Sequence, residues 1–221
     1  MNKIPPSVLK EALRLLGADT EADSGLLDDL KRAYAQLLEV SKPRTVYKKT
    51  AVRQTENGVL LDGTEFVSKD LKKLFSNSSH AFILAATLGA ETDALLRRKM
   101  TENMADAALF DACANAETER VCDTLEQQLS AEISKGEYLT KRFSPGYGDV
   151  DLEYSSVLVN ILNAQKAIGL ACTASKMLVP SKSVTAFIGI SAIKEDRRRR
   201  CDECAANTDC VWKKRGERCG V

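Results

Sequence analysis

Residues 142–149 read RFSPGYGD. Arg142 offers a planar fork of N–H donors that matches a carboxylate. Tyr147 offers a flat face and a hydroxyl. Pro145-Gly146 is a turn dipeptide: Pro fixes φ at the second position of a type II turn, and Gly accepts the positive φ of the third. A glycine turn also lets backbone amides and carbonyls approach a ligand closely. Alone, the stretch reads first as a turn, with Arg142 a surface charge and Tyr147 a core edge. The same groups are those needed to hold an amino-acid carboxylate joined to a nucleoside.

A second set of chemically capable residues lies near the end of the chain. Cys201-x2-Cys204-x5-Cys210-x8-Cys219 places four thiols within nineteen residues. Two thiolates two residues apart converge on one ion, and the remaining spacings are irregular. Tetrahedral zinc is the first candidate and a 4Fe–4S cluster the second. A redox dithiol of Cys201 and Cys204, beside four arginines, is the third. The bland reading is a basic tail with free cysteines. Cys113, Cys122 and Cys172 read as small core residues. The single histidine, His80, excludes a His-rich metal site. It opens the apolar run HAFILAATLG and reads as a core-edge residue.

The elements that must position these groups belong to a chain of 221 residues, enough for one domain with a small appendage. Hydrophobic residues are 44% and charged residues 29%, which excludes a disordered body. A net charge of +1 gives no global attraction to nucleic acid or membranes. Nucleic-acid binding is the weakest reading, resting on RRRR and Trp212 alone. No segment reaches the ~20 apolar residues of a membrane helix. MNKIPPSVLKEALRLLG reads as an amphipathic helix and not as a signal peptide. A cytoplasmic protein with reduced cysteines is therefore expected.

Pro5 and Pro6 suit a first helical turn, and Gly17 stops that helix. A second helix spans 25–40, with Leu26, Leu27, Leu30, Tyr34, Leu37 and Leu38 on one stripe. Val46, Tyr47, Thr50 and Val52 predict a strand, and Asn57-Gly58 turns it into a hairpin. Ser68 is an N-cap for KDLKKLF. AFILAATLG predicts a buried strand. Residues 91–134 are helical, with a break near Met100-Thr101 and Thr101 as the second cap. Residues 151–168 predict one helix with Leu152, Val157, Leu158, Ile161 and Leu162 inward, stopped by Gly169. LACTASKMLVPSKSVTAFIGISAI predicts two strands joined by a turn at Pro180-Ser181. The fold class is α+β: a largely antiparallel sheet packed with long helices, a small N-terminal helical cap and a Cys-rich C-terminal tail. The expected boundaries are 1–43, 44–193 and 194–221.

In this order the motifs resemble the activation (reactivation) domain of cobalamin-dependent methionine synthase. The family pattern is an Arg-x-x-Pro-Gly-Tyr loop, a helix, an Ile-Gly step, a Thr-x-Ser segment and a Pro-x-x-Ser-Val strand. Here these are Arg142, Pro145, Gly146 and Tyr147; Ile168-Gly169; Thr173 and Ser175; Pro180, Ser183 and Val184. The match covers roughly residues 80–192. The His-containing segment that follows the family's Gly-Tyr pair has no counterpart in GDVDLEYSS.

The resemblance implies a protein that binds S-adenosylmethionine and supports remethylation of cobalamin held by a synthase or other corrinoid protein. A flavodoxin-like protein would supply the electron. It implies that Arg142 pairs with the methionyl carboxylate, that the Ser144 backbone faces the adenine, that Pro145-Gly146 permits close approach and that Tyr147 lines the pocket. It places Asn115 or Glu119 at the ligand's amino group. The chain contains no cobalamin, folate or homocysteine module, so a stand-alone form is expected. It would be a non-autonomous component of a methyltransferase. The alternative is a zinc or iron–sulfur module for electron transfer or regulation, in which the loop is only structural.

Overall fold

The computed structural model describes residues 3–18 and 23–194, together with Thr208 and Lys214. The four tail cysteines, Cys201, Cys204, Cys210 and Cys219, lie outside the described residues.

Helix α1 (Pro6–Leu15) begins on the proline pair, and Gly17 follows it with φ 68°. Helix α2 (Ser24–Val40) buries Leu30, Ala33, Tyr34 and Leu37. Strand β1 (Arg44–Gln54) bends at Glu56-Asn57 into β2 (Gly58–Leu61), so the hairpin forms as expected but Gly58 opens the second strand instead of sitting in the turn. A further hairpin, unforeseen, leads into β3 (Thr64–Val67). Its turn is Asp62-Gly63, with φ 50° and 77°, the paired positive angles of a type I′ turn. Helix α3 (Lys69–Leu74) is capped by Ser68, whose Oγ accepts from the Leu71 amide at 3.0 Å. Strand β4 (Ser78–Thr87) is buried from Ala81 onward. His80 sits before that point and is exposed, so it is a strand-end residue and not part of a core.

The long helical region divides into α4 (Ala90–Glu102) and α5 (Met104–Ser130). The cap between them is Asn103, not Thr101. Asn103 Oδ1 accepts from the amides of Ala105 (2.9 Å) and Asp106 (3.3 Å). Thr101 spends its hydroxyl on the Arg98 carbonyl inside α4. The predicted single helix over 151–168 is also two: α6 (Tyr154–Ile161) and α7 (Ala164–Ile168), after the short strand β5 (Tyr138–Leu139). Asn163 breaks it in the left-handed region (φ 49°), which Asn tolerates better than most residues. The Glu153 amide bonds to the Asp151 side chain, so 151–153 form a turn and Leu152 is 40% exposed instead of inward.

The last expectation is corrected as well. Strands β6 (Ala171–Cys172) and β7 (Leu178–Val179) form their own small ladder. Strand β8 (Ser183–Ser191) pairs with neither; it joins β4 and β5. Being buried on both faces, it needs a central position in a sheet. The main sheet runs β3-β2-β1-β4-β8-β5, and every pairing is antiparallel. The α+β class is thus as expected.

Side-chain alternation along β4 and β8 creates two opposite apolar faces. Phe82, Leu84, Ala186 and Ile188 meet Leu125 and Leu129 of α5. Ala81, Ile83, Ala85 and Phe187 meet Leu71, Phe75, Leu158 and Ile168. Each fully buried Phe or Leu here contributes about 1.5–3 kcal/mol. Among the described residues, no helix is long and apolar enough to cross a membrane.

Candidate functional site

The chain that carries the motif leaves β5 along the outer edge of β8. The Thr140 amide donates to the Gly189 carbonyl at 2.9 Å, and Phe143 and Phe187 exchange backbone bonds at 3.0 and 2.8 Å. Extended backbone sends adjacent side chains to opposite faces. Phe143 therefore packs with the cluster beneath α3 and α6. Arg142 turns the other way, to α5.

Three carboxylates of α5 meet the Arg142 guanidinium. Nη1 is 2.6 Å from Glu126 Oε1 and 3.4 Å from Asp123 Oδ1, and Nη2 bonds to Glu119 Oε2. Residues 119, 123 and 126 recur at i, i+4 and i+7, which puts them on one helical face. The Arg142 side chain is 15% exposed and that of Glu126 11%, while Glu119 is 44% exposed. Burial works against the charged guanidinium, but its neighbours hold the Arg142 pKa above the ordinary value. Cys122, beside the cluster, is pushed up to about 12 by burial and stays a neutral thiol.

Beyond Phe143 the chain makes the foreseen turn. The Tyr147 amide donates to the Ser144 carbonyl at 3.3 Å, and Gly146 occupies the third position with φ 89°. The Gly146 amide then bonds to the Val150 carbonyl at 2.8 Å. Pro145 is buried and Ser144 half-buried. Tyr147 is 70% exposed. A cavity of about 410 Å³ lies between the end of α5 and β5, lined by Ser130, Ile133, Glu137 and Tyr138. A second, of about 210 Å³, lies between Thr45 and the Arg120–Gln128 stretch of α5. Neither is lined by the motif residues.

Asn115 and Glu119, one turn apart on α5, have different surroundings. Glu119 reaches Arg142. Asn115 is taken up elsewhere: its Nδ2 donates to Asp111 at 2.9 Å and its Oδ1 accepts from Lys182 Nζ at 2.7 Å. Lys182 also pairs with Asp111, tying the start of β8 to α5. Thr173 and Ser175 bond to each other in the β6–β7 turn, and Ser183 donates to Thr87. Cys113 and Cys122 are fully buried core residues. Among the described residues, no group of three or more His, Cys, Asp or Glu side chains is arranged to hold a metal.

Sequence reasoning missed Asp123, Glu126 and Asp149. The first two were visible as an acidic i, i+4, i+7 series with Glu119. Asp149 had no such signal, because its partners lie about eighty residues upstream. Its Oδ1 accepts from Ser68 Oγ (2.5 Å) and the Asp70 amide (3.2 Å), and its Oδ2 from the Lys69 amide (2.8 Å). Burial pushes its pKa up, but these hydrogen bonds outweigh it and hold the carboxyl below the ordinary value.

Residues 68–195, more than half of the chain, match the family described as vitamin B12 dependent methionine synthase, activation domain. Among solved structures, the chain is similar to one described as the MetH reactivation domain bound to AdoHcy. Identity is 15% and the TM-score 0.59, over 98% of this chain and 78% of that one, a likeness of fold. No curated protein matches this chain.

Proposed function

This chain belongs to the family of vitamin B12-dependent methionine synthase activation domains, and from that premise we propose that it binds S-adenosylmethionine at Arg142 and the turn beside it. It would serve a separate cobalamin-loaded methionine synthase or other corrinoid protein, in the cytoplasm, with a flavodoxin-like protein as reductant. When bound, S-adenosylmethionine supplies a sulfonium methyl group to the reduced cobalt. The residues of this chain bind and orient; methyl transfer from a sulfonium asks for position more than for acid or base.

Arg142 would take the methionyl carboxylate and Glu119, half-exposed beside it, the ammonium. Asn115 is the less favoured candidate for the ammonium, since Asp111 and Lys182 already occupy its amide. A ligand carboxylate arriving at Nη1 would displace Asp123, which at 3.4 Å is held less closely than Glu126. The Ser144 backbone would face the adenine. The Pro145-Gly146 turn would bring the chain close to the ligand, and the exposed ring of Tyr147 would close over it. The observation that carries the reading is the juxtaposition of the largely buried Arg142 with the half-exposed Glu119 at the sheet edge, next to the turn.

Calorimetric titration of S-adenosylmethionine into the purified protein tests it. Wild type is expected to bind. Arg142→Lys, which keeps the charge but loses the fork, is expected to weaken binding about 10- to 100-fold. Absence of binding by the wild type, with a cobalamin-loaded synthase present as well as without it, would overturn the proposal.

A further inference from the structure

We propose that Asp149 is a positioning residue: with Gly148 it latches the Ser144–Tyr147 turn to the N-terminal end of α3, and so sets where the turn meets its ligand. The proposal rests on reading that turn as a ligand-binding element.

The latch is reciprocal. Asp149 accepts from Ser68 Oγ and from the amides of Lys69 and Asp70, and its own amide donates to Asp70 Oδ2 at 3.2 Å. The first amides of a helix have no partner within it. Here Ser68 serves the Leu71 amide and Asp149 serves the two before it. The cap is split between a residue local to the helix and one delivered by the loop.

Gly148 makes the approach feasible. A Cβ built on it would stand 2.0 Å from Asp70 Oδ2, and its φ of 56° already favours glycine. A second tether follows five residues later, where Tyr154 Oη accepts from the Val67 amide at 2.9 Å. The stretch from Gly148 to Tyr154 is therefore fixed at both ends to the Val67–Asp70 corner. The turn just before it is braced by Pro145, which is buried, and by the Gly146–Val150 bond. Release of Asp149 frees the side of the turn that carries Tyr147.

Two readouts test the latch in the full chain. Hydrogen exchange followed by mass spectrometry is compared for wild type and Asp149→Ala. The latch predicts faster exchange at the amides of Lys69 and Asp70 and, in addition, at Gly146, Tyr147 and Val150. Faster exchange confined to α3 would overturn it, because Asp149 would then be a helix cap only. This readout needs no ligand and stands whether or not S-adenosylmethionine binds. The second readout is calorimetric affinity for S-adenosylmethionine. Asp149→Ala is expected to weaken it about tenfold, and Asp149→Asn, which keeps one acceptor oxygen, to recover most of the loss. Unchanged affinity in Asp149→Ala, against a wild type that binds, would overturn the latch. A wild type that does not bind removes the ligand reading and leaves the exchange result to decide the latch. Should Asp149→Ala fail to fold, the exchange and affinity of Asp149→Asn decide in its place, with a smaller shift in the same direction.

Discussion

Arg142 Nη1 lies 2.6 Å from Glu126 Oε1, and only 15% and 11% of the two side chains is exposed. This is the most buried contact in the cluster, and it ties the strand-edge segment before the turn to the C-terminal part of α5. Removing one member of a buried ion pair leaves the other charged in a poor solvent, at a cost of 3–5 kcal/mol in full burial. Partial exposure lowers that figure here. Arg142→Ala is expected to cost about 2–3 kcal/mol in urea unfolding. The double replacement Arg142→Met, Glu126→Leu is expected to recover most of it. A loss under about 0.5 kcal/mol for Arg142→Ala would mean that the pair behaves as an ordinary surface bridge.

The parts of this fold that were legible in the sequence are those written locally. Ser68 caps α3, Gly17 and Gly169 end helices, and AFILAAT is a strand buried on both faces. Asp62-Gly63 is equally local, and its dipeptide is a hairpin signal as strong as Asn57-Gly58. Long-range pairing was not legible. Nothing within VTAFIGI tells it to sit between β4 and β5 and not beside β7. The site divides the same way. The turn geometry at Gly146 follows from Pro-Gly chemistry, and the acidic face of α5 follows from helical spacing. That Arg142 meets that face, or that Asp149 meets Ser68, depends on how distant segments fold together, and no local pattern encodes it.

Asp149 gives the loop a pH dependence whose sign is fixed. Its folded pKa lies below the ordinary aspartate value, so it releases its proton more readily folded than unfolded. Its stabilising contribution is then present above the unfolded pKa of about 3.9 and is lost as pH falls through the folded value. The wild type is expected to be more stable than Asp149→Asn near neutral pH. The gap should close as pH drops from about 5 toward 2. Urea midpoints measured across that range check it; a gap that widens on acidification would contradict the depressed pKa.

The thiols of the described core should be inert. Burial pushes Cys113 and Cys122 up to about 12, and both side chains are fully buried. Thiolate is the reacting species, so access and ionisation fail together. Iodoacetamide labelling of the native protein at about pH 8 is expected to leave Cys113 and Cys122 unmodified, as mapped by peptide mass spectrometry. Labelling in guanidinium should modify both. Modification of either in the native state would show that α5 opens locally on the timescale of the reaction.

Gly148 and Gly136 separate backbone strain from close contact. Both have positive φ, 56° and 92°, where an L side chain costs roughly 1 kcal/mol or more. Around Gly136 an added Cβ meets nothing within 4 Å, whereas at Gly148 it would meet Asp70 Oδ2 at 2.0 Å and Asp70 Cγ at 3.1 Å. No real Cβ sits at 2.0 Å from a heavy atom, so the loop or Asp70 must move. Moving Asp70 removes its bond to the Asp149 amide. Gly136→Ala is therefore expected to cost about 1 kcal/mol and Gly148→Ala about 2–3 kcal/mol in chemical unfolding. Combining Gly148→Ala with Asp70→Ala should give a smaller loss than the two single changes added together. The contact that the first change violates is absent after the second. Strict additivity would mean that Asp70 swings aside freely and that Gly148 is there for its φ alone.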